Sequence, residues 1–196
     1  MKIAVISSYA YVVSNVNYGA LLQYYALQEY LKERGHDPYW IRYVIRLSLK
    51  QSLKKIVKSI IYCRAEHKKK MQLQSFLDFA ARYLALSDKT YVGEAAINSD
   101  PPVADYYITG SDQVWAGSLP ANFLTFVGDD TRKIAYAVSF GKDELPAEHA
   151  DTIRPWVGKF DKISVREKSG VDICYNLCRK SAVHVPDPTL LIDKEK

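Results

Sequence analysis

The chain has 196 residues, 48% of them hydrophobic, and carries a net charge of +5. That length and apolar content supply an ordinary buried core for one domain and exclude a disordered tail. Three cysteines, Cys63, Cys174 and Cys178, exclude a fully paired disulfide framework, and no run of some eighteen apolar residues offers a membrane span.

Ile3–Ile6 is a β-branched run of the kind buried in a doubly covered parallel strand. It is too short for an export signal, is broken by Ser7 and Ser8, and has no convincing cleavage site. A loop to Asn17 leads into a helix over Tyr18–Arg34, where Ala20, Tyr24, Leu27 and Leu31 share a face opposite Glu29, Lys32 and Glu33. Gly35 ends that helix, and Asp37–Tyr43 follows as a strand, completing a βαβ unit with a right-handed crossover.

The charge is concentrated in the next segment. Arg42–Lys70 holds ten Lys and Arg against Glu66 alone, a local +9 that leaves −4 for the rest. Apolar Leu49, Leu53, Ile56, Val57, Ile60 and Ile61 alternate there with Arg46, Lys50, Lys54 and Lys58 at helical spacing, predicting a basic amphipathic helix. A further helix is expected over Met71–Leu84, with Leu73, Phe76, Leu77 and Ala80 in one stripe. Together they read as a basic helical insertion at about residues 44–86, followed by irregular chain from Ser87 to Pro102.

Alternation then resumes. Strands are expected at Asp105–Thr109, Lys133–Ser139, Lys162–Val165 and Ala182–Val185, with helices at Ala147–Phe160 and Glu167–Arg179. The pattern predicts an α/β fold, an open and mainly parallel Rossmann-like sheet covered by helices on both faces, with residues 1–193 as one domain.

In such sheets ligands bind beyond the carboxyl ends of the strands, so the loops after the strands are the candidate sites. Asn17 is a helix N-cap, and Gly19 permits close approach to the free N–H groups of the first turn. In Gly110-Ser111-Asp112-Gln113-Val114-Trp115, Asp112 has the chemistry of a general base on a sugar hydroxyl and Trp115 that of a stacking face. Arg166 is suited to clamp a phosphate or carboxylate. Each has a plainer reading beside it: a capped helix, a turn with a packed aromatic, and an Arg166–Glu167 pair steadying a helix. His184 is expected as a packed histidine. Lys50, Lys54, Lys55 and Lys58 form either a solvated face or a contact to an anionic membrane or lipid-linked acceptor. Nucleic acid is not expected, because no aromatic platform interleaves these charges. Neither a dinucleotide-binding GxGxxG nor a Walker loop is present, and Cys174 with Cys178 lacks a second ligand pair, so no cofactor and no metal is expected.

Five blocks, "NYGALLQYYALQEYLKERGH", "ITGSDQVW", "KIAYAVSFG", "FDKISVREKSGV" and "VPDPTLLIDKE", occur in the order characteristic of the polysaccharide pyruvyl transferase family, which the chain resembles over Met1–Glu195. The resemblance implies one half of a GT-B-like enzyme that moves pyruvate from phosphoenolpyruvate, as donor substrate, onto a sugar hydroxyl pair as a ketal. The acceptor would be a bacterial surface polysaccharide (an exopolysaccharide) or its lipid-linked precursor. The unpaired cysteine count fits a reduced cytoplasmic compartment, and the basic segment a peripheral position at the inner face of the membrane. Family members continue for a comparable length after the block at Asp187–Leu191, so the chain is expected to be an N-terminal half without its C-terminal domain, inactive alone. The phosphoenolpyruvate-binding residues fall mainly in that second half, which leaves Asn17, Gly19, Ser111, Asp112, Trp115 and Arg166 to line the acceptor side. A GT-B-like glycosyltransferase domain using a nucleotide sugar, or a non-catalytic carbohydrate- or membrane-binding module, would share the scaffold.

Overall fold

The computed structural model describes residues 1–7, 17–46 and 66–192, with the side chains of 66–72 outside that description. Seven strands form one sheet: β1 (Lys2–Ile6), β2 (Asp37–Val44), β3 (Leu86–Val92), β4 (Tyr106–Asp112), β5 (Arg132–Val138), β6 (Lys162–Val165) and β7 (Val183–His184). Their spatial order is 3-2-1-4-5-6-7 and every pairing is parallel. This is the doubly wound α/β arrangement, with its reversal of strand order between β1 and β4.

β1 explains why the sheet centres where it does. It pairs with β2 on one side and β4 on the other, and Ile3, Ala4, Val5 and Ile6 are at most 4% exposed. Only an apolar run fits a strand covered on both faces. On one face Ile3, Val5, Trp40 and Ile108 pack against α1 (Tyr18–Glu33) and α2 (Glu66–Tyr83). On the other, Ala4, Ile6, Ile41 and Tyr107 pack with Ile97 of α3 (Glu94–Ser99), Ile153 of α4 (Ala147–Val157) and Ile173 of α5 (Lys168–Cys178).

Helix α1 begins where expected. Asn17 has extended backbone and its side chain accepts from Ala20 N at 3.2 Å, which satisfies one otherwise unpaired donor of the first turn. Ala20, Tyr24, Leu27 and Leu31 are all buried, as the spacing predicts. Gln28 shares that buried face and accepts from Ala85 N at 2.6 Å while donating to Tyr83 O at 2.8 Å. One glutamine thereby stitches the α2–β3 junction to α1.

Several expectations change. The chain from Ser87 to Pro102 is ordered as most of β3 and the short α3, a pairing partner of β2 supplying Tyr91 to the core. Its polar run Ser87-Asp88-Lys89-Thr90 hides the strand from periodicity, because β3 is an edge strand. Residues 66–83 form part of the β2-to-β3 connection of the sheet itself, while 47–65 lie outside the described residues. Within α2, Phe76 and Ala80 are buried but Leu77 is 37% exposed. β4 runs on through Gly110, Ser111 and Asp112, which were expected in a loop. His184 stands exposed on the edge strand β7 rather than packed, with Nε2 3.2 Å from Arg166 O.

Candidate functional site at the carboxyl rim

The strand order reverses between β1 and β4, and doubly wound sheets take ligands at the carboxyl ends of the strands at such a point. A buried polar network lies there. Gln23, on the buried face of α1, donates through Nε2 to Ser7 Oγ at 2.8 Å and to Ala20 O at 2.8 Å. Its Oε1 accepts from Ser111 N at 2.9 Å, and Ser7 Oγ donates to Ser111 O at 3.1 Å. Ser7, Gln23 and Ser111 are 4%, 2% and 0% exposed. A polar cluster this deep is tolerable only because its members satisfy one another.

The network continues outward. Ser111 Oγ donates to Asp187 Oδ2 at 3.0 Å, and Arg166 Nη1 donates to the same oxygen at 3.3 Å. Asp187 Oδ1 accepts from Thr189 N at 3.0 Å and Thr189 Oγ1 at 2.9 Å, capping the 3-10 helix Pro188–Leu191. Burial opposes ionisation of Asp187, but the bonds from Thr189, Ser111 and Arg166 outweigh it and hold its carboxyl below the ordinary range. A continuous chain thus runs Ser7–Gln23–Ser111–Asp187–Arg166, joining the ends of β1, β4 and β6 to the segment after β7.

Asp112 closes β4 beside it. Its φ is 101°, a conformation that side-chain-bearing residues rarely adopt, and several bonds hold it. Oδ1 accepts from Gln113 N at 2.8 Å, while its carbonyl accepts from Val114 N at 2.8 Å and Ser139 N at 3.0 Å. Oδ2 has no hydrogen-bond partner among the described residues. Two positions earlier, Gly110 has φ 121°, and a Cβ there would lie 2.1 Å from Tyr136 O. Only glycine lets β4 pass this close to β5. The Gly110–Ser111 peptide is cis.

At the end of β5, Ser139 Oγ donates to Glu167 Oε1 and accepts from Gly141 N at 3.0 Å. Arg166 Nε is 3.8 Å from Glu167 Oε1. Arg166 therefore lies between two carboxylates, 29% exposed, with Nη2 making no hydrogen bond among the described residues.

The six predicted site residues of this region separate accordingly. Asn17, Gly19, Asp112 and Arg166 lie at the carboxyl rim, Asn17 and Gly19 exposed and the other two partly buried. A Cβ at Gly19 would meet only Asn17 Oδ1, at 3.3 Å. Ser111 is a buried strut whose hydroxyl is committed to Asp187. Trp115 is corrected. It is 0% exposed, stacked on Phe123 and packed against Phe140 and Phe160, so its ring offers no platform. Lys50, Lys54, Lys55 and Lys58 lie outside the described residues.

Ser139 and Asp187 fall in loops after strands that the sequence marks as candidates, Ser139-Phe140-Gly141 and Pro186-Asp187-Pro188, whereas Gln23 is not among the predicted site residues. Gln23 had a legible signal, a polar residue on a helix face otherwise built of Ala20, Tyr24 and Leu27. Two described cavities lie elsewhere, a 490 Å³ groove between α4 and α5 and a 370 Å³ hollow at the amino ends of β1–β3. Neither is lined by the rim residues. Among the described residues no cluster of His, Cys, Asp and Glu could hold a metal ion, and no helix is long and apolar enough to cross a membrane.

The fold and its rim define a doubly wound α/β unit with a candidate ligand site at the switch point. The family model for polysaccharide pyruvyl transferase matches residues 17–196, and the chain belongs to that family. No curated protein and no solved structure matches it.

Proposed function

We propose that this chain supplies the acceptor-side half of a pyruvyltransferase, which moves pyruvate from phosphoenolpyruvate onto two hydroxyls of a sugar in a surface polysaccharide or its lipid-linked precursor. The observation that supports it most is the gathering of Asp112 and Arg166 on one rim, tied together through Ser111 and Asp187, in a member of this family.

The chemistry divides between such groups. One sugar hydroxyl adds to C2 of the enol while a proton is delivered to C3; the second hydroxyl then displaces phosphate to close the ketal. In this scheme Asp112 Oδ2 accepts a hydroxyl proton, a role that its backbone, held by the bonds to Gln113, Val114 and Ser139, supports by limiting where that hydroxyl sits. Arg166 neutralises an anionic oxygen at the rim. Asn17 and Gly19 flank the first turn of α1, whose N–H groups favour anionic or hydroxyl oxygens. Phosphoenolpyruvate is held chiefly by a second α/β half, so the chain alone does not turn over. Phosphoenolpyruvate is the donor substrate, and no further cofactor enters this scheme.

The test incubates the chain with phosphoenolpyruvate and saccharide acceptors, with and without a second α/β half from the same family, and follows ketal formation by mass spectrometry. Ketal only in the complemented mixture supports the proposal. Turnover by the chain alone overturns the division between halves, and inhibition by a nucleoside diphosphate would favour a glycosyltransferase instead.

A further inference from the structure

We infer that Asp187 is a positioning residue, fixing the Arg166 guanidinium so that its Nη2, unshared among the described residues, receives a phosphate or carboxylate oxygen of the substrate. The inference rests on the reading of Arg166 as a substrate-binding group and adds to it the residue that makes that group selective.

An arginine on an exposed strand end has several rotatable bonds and is a diffuse cation. Here it is not free to wander. Asp187 Oδ2 takes its Nη1 at 3.3 Å, and Glu167 Oε1 stands 3.8 Å from its Nε. Asp187 is itself held at both oxygens, by Thr189 N and Oγ1 on one and Ser111 Oγ on the other. Ser111 is anchored by Gln23 at 2.9 Å, and Gln23 by Ser7 at 2.8 Å, all in the buried network. The aim of Arg166 is therefore referred back to the two central strands β1 and β4. A simple surface ion pair would need none of this support and would be worth little. The guanidinium has five N–H donors in a plane; Asp187 takes one at Nη1, Glu167 stands at ion-pair distance from Nε, and Nη2 makes no hydrogen bond among the described residues. Pre-orientation lowers the entropy cost of binding, so the anion meets a group already in place.

Two sources could deliver such an oxygen, phosphoenolpyruvate and the diphosphate of a lipid-linked acceptor. Calorimetric titrations of the whole chain with phosphoenolpyruvate and, separately, with a sugar 1-diphosphate distinguish them. The anion that Arg166 receives should lose about tenfold in affinity in Arg166→Gln, the value of one charge-assisted contact. Asp187→Asn should lose a comparable factor, and the double variant no more than Arg166→Gln alone, because both act through one guanidinium. In parallel, ¹⁵N relaxation of the Arg166 Nε–H group, without ligand, should show an ordered side chain that becomes mobile in Asp187→Asn. Multiplying losses in the double variant would mean that Asp187 acts only through general stability, and would overturn the inference. So would an Arg166 side chain equally ordered with Asn at 187. If Arg166→Gln leaves both anions bound as before, the substrate-binding reading of Arg166 fails, while the relaxation data still decide whether Asp187 orders it.

Discussion

Replacing Gln23 with Leu removes the centre of the buried polar network while nearly conserving volume. Three hydrogen bonds go, to Ser7 Oγ and Ala20 O at 2.8 Å each and from Ser111 N at 2.9 Å. The Ser111 N–H is fully buried, so it bears the main cost, about 1–3 kcal/mol for an unsatisfied buried donor. Ser7 loses a donor but keeps its own bond to Ser111 O, which limits its share. The added apolar surface of Leu offsets part of the total, since Gln23 is already 2% exposed. A net loss of about 2 kcal/mol is expected, which lowers the melting temperature of a domain this size by about 4–8 °C. Thermal and urea unfolding of the full chain measure it, with Leu22→Gln on the exposed side of the same helix as control, expected within about 0.5 kcal/mol. Gln23→Leu as stable as the parent would show that these groups do not form a mutually satisfied network.

Gly110→Ala should be much worse, destabilising by about 3 kcal/mol or more, because the new Cβ meets a backbone oxygen and the backbone conformation disfavours a side chain; soluble yield and unfolding midpoint report it. Trp115→Ala should cost about 3–5 kcal/mol as a core cavity, and in Trp115→Phe the emission lost should be a component inaccessible to iodide and unchanged by saccharide. Asp187 is ionised more readily in the fold than in the unfolded chain, so its contribution is complete above the unfolded carboxyl pKa of about 4 and is lost as pH falls through the lower folded value. The stability gap between the parent and Asp187→Asn should therefore hold steady from pH 5 to 7 and narrow below about 4, read by urea unfolding at each pH.

Much of this architecture is readable along the chain, and the exceptions have physical causes. β1, α1, β2 and β6 are clear because a strand buried on both faces must be apolar and a helix on a sheet must be amphipathic. β3 is not, because its edge position lets polar residues occupy a strand. The site shows the same division. Asn17 as a cap follows from its local role, and the rim positions of Arg166 and Asp112 follow from their places at the carboxyl ends of parallel strands. Trp115 misleads because the turn beside a candidate site turns inward, and local sequence does not say which side of a turn meets the core. The Ser7–Gln23–Ser111–Asp187 chain spans four segments far apart in sequence. The loops that hold Ser7, Ser111 and Asp187 are candidates by their place after strands, but that these residues bond through Gln23 is not legible beforehand.

The rim as the place of chemistry is tested most directly by Asp112→Asn. In the complemented pyruvyl transfer assay, with phosphoenolpyruvate and a saccharide acceptor both saturating, the variant should form ketal at least about a hundredfold more slowly, the lower range for a lost general base. Its melting temperature should match the parent, since Asn retains the Gln113 N–H contact through its side-chain oxygen. Ketal formation by Asp112→Asn at the parental rate would contradict the account.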